Sequence, residues 1–93
     1  MLVGIVELDL MLYSVGSLKE KRQVVKSLMA RLASRFNISI AEVENLDMWN
    51  KASIGLALVA NDRGFIDSSI SKILNFIDND DRLEIINKNI EII

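Results

Sequence analysis

The chain is expected to fold as an α+β domain with the element order β-α-β-β-α-β, and three observations predict it. Apolar residues alternate with period two near the N-terminus. Two later segments, 18–36 and 62–77, repeat their apolar residues at helical spacing. Short β-branched runs lie between and after them. With 93 residues, no proline and no low-complexity tract, a single domain spanning 1–93 is expected.

The elements follow in order. Over residues 2–13, Leu2, Gly4, Val6, Leu8, Leu10 and Leu12 share one face, and Val3, Ile5, Glu7, Asp9, Met11 and Tyr13 the other, as in a half-buried strand. Ser17-Leu18-Lys19-Glu20 fits a capping box, with the Ser17 hydroxyl accepting from the Glu20 amide and the Glu20 carboxylate reaching back to the Ser17 amide. Leu18, Val25, Leu28, Leu32 and Phe36, joined by Val24 and Met29, form the apolar stripe of a helix ending near residue 36. Residues 38–44 read as a second strand whose facing is open, because Ile38 and Ile40 oppose Ala41 and Val43. A polar hairpin loop over 45–51 carries Leu46, Met48 and Trp49. A third strand over 52–60 turns Ile54, Leu56, Leu58 and Ala60 inward and the small-sided Ser53, Gly55, Ala57 and Val59 outward. Asn61 or Asp62 caps a second helix with Ile66, Ile70, Ile73, Leu74 and Ile77 as its stripe. After a turn at Asn79-Asp80-Asp81 comes a fourth strand, Leu83 to Ile93, with an interruption expected near Asn87-Lys88-Asn89. This order closes most economically as a ferredoxin-like sandwich: a four-stranded antiparallel sheet with both helices on one face and right-handed crossovers.

Composition narrows function mainly by exclusion. No cysteine is present, so disulfides and thiolate metal sites are ruled out. No histidine is present, which removes the commonest general base and metal ligand. The four glycines form neither a phosphate-binding loop nor a dinucleotide fingerprint, and Arg63-Gly64 is only a weak anion signal. The expectation is a protein that is no enzyme, with no cofactor and no evident small-molecule substrate. No apolar run approaches the roughly 18 residues of a membrane span, and no signal peptide is visible, so the expected location is cytoplasmic.

Charge is unevenly spread. Residues 17–36 contain six basic side chains and one acid, a net +5, leaving five basic and twelve acidic residues, a net −7, elsewhere. Lys19, Lys21, Arg22, Lys26, Arg31 and Arg35 are therefore the candidate nucleic-acid contacts; Lys19, Arg22 and Lys26 at i, i+3, i+7 and Arg31 and Arg35 at i, i+4 are spaced to line the solvent side of the first helix. Their early members oppose the helix dipole, which an element built only for stability would avoid. The plainer alternative is a solvated face paired with Glu42, Glu44 or other acids. The open sheet face lacks aromatic stacking platforms and carries Glu7 and Asp9, which argues against RNA binding there. Its Val3, Ile5, Ala57 and Val59, with some C-terminal isoleucines, read instead as an apolar patch for a partner or for a homodimer. Trp49 is expected to close over the core edge as a lid, with exposure to a partner as the alternative. Glu42, Glu44, Asp47 and Asp62 could supply oxygen ligands to Mg²⁺, but loop acids are usually just solvated, and no metal is expected.

Several stretches then resemble a known family. Ser17-Leu18-Lys19-Glu20-Lys21-Arg22 followed by Val24-Val25-Lys26 is similar to the signature of the YlxP-like bacterial proteins, a domain-of-unknown-function family. Arg35-Phe36-Asn37 with Ala41-Glu42-Val43, Asp47-Met48-Trp49 with Ala52, and Val59-Ala60-Asn61-Asp62 agree in register. The resemblance implies a ferredoxin-like fold of this length, no established catalytic activity, and company with translation and ribosome-maturation proteins, beside whose genes such genes tend to sit. Gly16 and Ala60 depart from that pattern, where a polar residue such as His and a Ser are common. With the resemblance, ribosomal RNA or a ribosomal particle becomes the expected partner of Lys19, Lys21, Arg22 and Lys26. The alternative is a protein-interaction module or homodimeric structural domain with no nucleic-acid role.

Overall fold

The first strand sets the frame. In the computed structural model, which describes residues 1–93, β1 (Leu2–Leu12) is followed by α1 (Leu18–Arg35), β2 (Ser39–Glu44), β3 (Lys51–Ala60), α2 (Arg63–Asp78) and β4 (Leu83–Ile92). The strands form one antiparallel sheet in the order β2-β3-β1-β4. The fold is ferredoxin-like. Placing β1 at the centre explains its apolar face: Val6, Leu8, Leu10 and Leu12 are buried with Ile54, Leu56 and Leu58 of β3 beneath the helices. Val25, Leu28 and Leu32 of α1 and Ile66, Ile70, Ile73 and Ile77 of α2 complete the same cluster. At Gly4 the sheet leaves no room for a side chain beneath α2. A Cβ there would stand 2.7 Å from a methyl of Ile66.

Side-chain caps fix both helix starts. Ser17 Oγ accepts from the Glu20 amide at 3.1 Å, as the capping box requires, but the Glu20 carboxylate takes the amide of Gly16, one residue earlier than expected, at 3.0 Å. Of the two candidates for α2, Asp62 is the cap, accepting from the Phe65 amide at 3.0 Å.

Two bulges set the facing of the outer strands. In β4 the register slips between Asp9 and Leu10, leaving Ile86 as the extra residue, so the strand runs unbroken through Asn87-Lys88-Asn89. Leu83 and Ile85 before the slip, and Lys88, Ile90 and Ile92 after it, fall on the helix side opposite Leu12, Leu10, Leu8, Val6 and Gly4. The open face of β4 therefore carries Asn87, Asn89 and Glu91, not the isoleucines expected there; only Ile93, paired with Val3 by two backbone bonds, extends that face. Ile38 just before β2, and Ile40 and Glu42 within it, look toward α1, and a slip between Glu42 and Glu44 sets Val43 over Gly55 on the open face.

Candidate functional site

Helix α1 divides its six cations three ways. Lys21 does not face solvent. It lies one turn before Val25 on the buried stripe and is fully enclosed, its Nζ donating to Glu42 Oε2 at 2.5 Å, to the Asn45 carbonyl at 3.0 Å and to the Leu46 carbonyl at 3.5 Å. The expected phosphate role for Lys21 is thus corrected: its three protons are spent inside, because an enclosed ammonium must be matched by a counter-charge and acceptors. Lys19, Arg22 and Lys26 lie on the exposed face, and none has a carboxylate within ion-pairing distance; the structure's two salt bridges are Lys21–Glu42 and Arg82–Asp80. Arg31 and Arg35 sit on the flank toward α2, with their guanidinium carbons 5.5 and 4.7 Å from the centre of the Phe76 ring. They too are exposed and form no salt bridge, although the charge of Arg31 reaches Asp80 and adds to what holds that carboxyl low, and they do not continue the line of the first three.

The partner-binding residues also separate. Val3, Ile5 and Val59 come together at one end of the open sheet face, where Val3 pairs with Val59 and Ile5 with Ala57. Val59 and Ile93 are 59% and 61% exposed, so this corner is apolar and wet. Trp49 is not with them. It sits beyond Lys51, which pairs with Met11, eight residues along β1 and roughly 26 Å away at 3.3 Å per residue. Nor is Trp49 a lid: at 51% exposed, beside the half-exposed Leu46 and Met48, it projects from the β2–β3 loop. The loop holds its shape without burying the indole, because Lys21 binds two of its carbonyls and Asn45 takes a positive φ of 59°.

Between those ends runs a polar chain. The Asn45 side-chain Nδ2 donates to Ser53 Oγ at 2.7 Å, and Ser53 donates to Asp9 Oδ1 at 2.6 Å, while Asn87 Nδ2 approaches Asp9 Oδ2 at 3.4 Å. The Ser53 bond holds the Asp9 carboxyl below its usual range, with smaller help from Asn87 and the charge of Lys51. Asp9 and Glu7 keep the middle of this face anionic. Tyr13 donates to Glu84 at its far end, and that bond to the phenol raises the Tyr13 pKa. Glu42, Glu44, Asp47 and Asp62 do not converge: no group of three acids stands close enough to hold a metal ion, and Glu42 is committed to Lys21. No helix is long and apolar enough to cross a membrane.

Sequence reasoning overlooked one feature, a cleft of about 400 Å³ at the Val59 end, formed by the end of α1, the start of α2 and β3. Phe65, Ser69 and Lys72 line it from α2. Their i, i+4, i+7 spacing, one position off the isoleucine stripe, was a legible sign of a second helix face.

The sequence matches known proteins along most of its length. Residues 3–90 match the family model described as "Protein of unknown function (DUF503)". The chain is also 36% identical over 83 residues, covering 89% of its own length and 90% of the relative's, to the "Uncharacterized protein YlxP" of Bacillus subtilis (strain 168). A match along nearly the whole chain, from the second residue of β1 to within two residues of the end of β4, places this ferredoxin-like domain in the DUF503, or YlxP-like, family.

Proposed function

We propose that the chain is a non-enzymatic accessory protein of the ribosome, contacting RNA phosphates through Lys19, Arg22 and Lys26 on the outer face of α1. One observation carries this reading: these three cations stand exposed in the first half of the helix with no carboxylate to neutralise them. Their neighbour Lys21 shows that this sequence pairs a cation when pairing is what the structure needs. The acids of the open face, Glu7, Asp9 and Glu91, repel phosphate and leave α1 as the surface a polyanion would meet. The resemblance to a family that keeps company with ribosome-maturation proteins points that polyanion to ribosomal RNA, and the location to the cytoplasm.

The test is recovery of ribosomal particles from lysate by the wild-type chain and by the triple variant Lys19→Glu, Arg22→Glu, Lys26→Glu. Three phosphate contacts imply a loss of about 20- to 40-fold in affinity between 50 and 200 mM salt, and nuclease should release what is recovered. Undiminished, nuclease-resistant recovery by the triple variant would refute the phosphate contact.

A second reading is favoured by the corner formed by Val3, Ile5, Ala57, Val59 and Ile93: a homodimer packed through this end of the open face, with no nucleic-acid role. Its test is the oligomeric state and how that state responds to salt.

A further inference from the structure

We propose that the cleft between the C-terminal end of α1 and the start of α2 receives one unpaired nucleotide of an RNA strand, its base against Phe65 and its phosphate between Arg35 and Lys72. The proposal rests on the RNA reading above and deepens it by naming the substrate class as single-stranded RNA.

The cleft's walls carry the argument. Phe65 lies in the first turn of α2, held there by the Asp62 cap, and is 59% exposed, although four isoleucines one position along are buried. Phe36, half-buried just past the end of α1, also lines the cleft. An aromatic side chain left in water in a cleft that a second aromatic also lines is what a planar, apolar-faced group would cover. Arg35 and Lys72 bring two positive charges, neither ion-paired, and no carboxylate lines the cleft. Ser69 and Asn37 add polar groups able to meet base or ribose edges.

Size and access point the same way. About 400 Å³ suits one small ligand and falls within the roughly 300–1,000 Å³ of such sites. β2 first pairs at Ser39 with Ala57, so Leu58 to Ala60 of β3 have no β2 neighbour, and that strand edge opens toward the cleft. A second hollow along the same edge, lined by Asn37, Ile38 and Ala57, gives a strand a way onto the open face. A stacked duplex cannot offer a bare base face; an unpaired nucleotide can. Lys26 and Arg35 are nine residues apart on one helix, roughly 13 Å along its axis at 1.5 Å per residue but half a turn apart around it, so a backbone held by Lys26 must cross over the outside of α1 to enter the cleft.

The experiment measures binding of three probes: a labelled eight-nucleotide single-stranded RNA, the same strand in a blunt duplex, and adenosine monophosphate alone. It uses the wild-type chain, Phe65→Ala, Lys72→Glu and the α1 triple reversal. Both cleft positions are exposed, and an unchanged thermal melt checks that the two variants fold. Expected is tighter binding of the single strand than of the duplex by wild type. Phe65→Ala should weaken the single strand by about 5- to 150-fold, the usual range for one stacked base, with duplex binding unaltered. Amide resonances of Asn37, Phe65 and Ser69 should shift with the single strand.

Single-strand affinity unchanged within twofold in both cleft variants would overturn the proposal. So would adenosine monophosphate binding more tightly than the strand, which would mark a site for a free nucleotide. If the triple reversal abolishes RNA binding and Phe65→Ala does nothing, the cleft proposal falls and the phosphate reading stands. If the triple reversal leaves binding intact and Phe65→Ala removes it, the phosphate reading falls and the cleft stands.

Discussion

An ammonium group taken out of water must find a counter-charge and acceptors for its protons, and Lys21 finds all of them on β2 and the loop that follows. This one side chain locks the start of α1 to the β2–β3 connection. Lys21→Met would strand the Glu42 carboxylate, whose side chain is only 14% exposed, and leave two carbonyls without their donor. The expected cost is about 3–5 kcal/mol, which for a domain of this size lowers Tm by well over 10 °C. Faster hydrogen exchange should be confined at first to residues 45–50. Adding Glu42→Leu to Lys21→Met should restore part of the loss, and a double variant no more stable than Lys21→Met would show that the cost is packing, not charge. The pair was legible in the sequence. Lys21 completes the 4-3-4 spacing of Val25, Leu28 and Leu32, and Glu42 continues the period-two face of Ile38 and Ile40. A cation and an acid each occupying an apolar slot were a sign that they meet. Trp49 was harder to read, because a loop's outward side chains depend on which of its carbonyls are held, and that is a tertiary fact.

At the scale of the elements, α1 is capped well and charged badly, and the contrast bears on what it is for. Ser17 takes the Glu20 amide, Glu20 takes that of Gly16 just ahead of the helix, and Arg35 in the last turn suits the dipole, yet Lys19 stands at the second helical position, where positive charge is unfavourable. Lys19→Glu should therefore stabilise the fold by about 0.3–1 kcal/mol, a rise of a few degrees in Tm, while weakening RNA association. A fall in Tm would mean that Lys19 has an ionic partner in solution, and the case for a free cationic face would weaken with it. The strands show where sequence patterning gives out. β1 and β3 keep an unbroken period of two, so their faces could be assigned residue by residue. β4 could not be, since its isoleucines occur as Ile85-Ile86 and Ile92-Ile93 with Ile90 between, a pattern that fits no single phase. One extra residue at Ile86 reconciles them, turning Ile85 and then Ile90 and Ile92 to the same side. A bulge is fixed by the neighbouring strand, and a single strand's periodicity contains no mark of it beyond the change of phase.

For the whole molecule, the two functional readings can be separated by the sign of one dependence. The chain exposes 5657 Å², and an interface of standard size takes roughly 800 Å² from each partner, about one-seventh of that surface. A dimer through the open sheet face would need most of that face, not just its apolar corner. In a two-fold arrangement the same patch meets itself, so Glu7, Asp9 and Glu91 of both copies come near one axis. Apolar burial at Val3, Ile5, Ala57, Val59 and Ile93 favours such a dimer, and the carboxylates oppose it. Salt screens the opposing term and leaves burial almost untouched. Self-association should therefore strengthen as salt rises from about 50 to 500 mM, whereas RNA binding through α1 should weaken over the same range by counterion release. Sedimentation at tens of micromolar across that series, with Val59→Glu as the disrupting variant, decides the matter. A monomer at every salt concentration would exclude the dimer. A dimer that dissociates as salt rises would mean that the copies meet through opposite charges, with basic α1 of one against the acidic sheet face of the other, and α1 would then not be free for RNA.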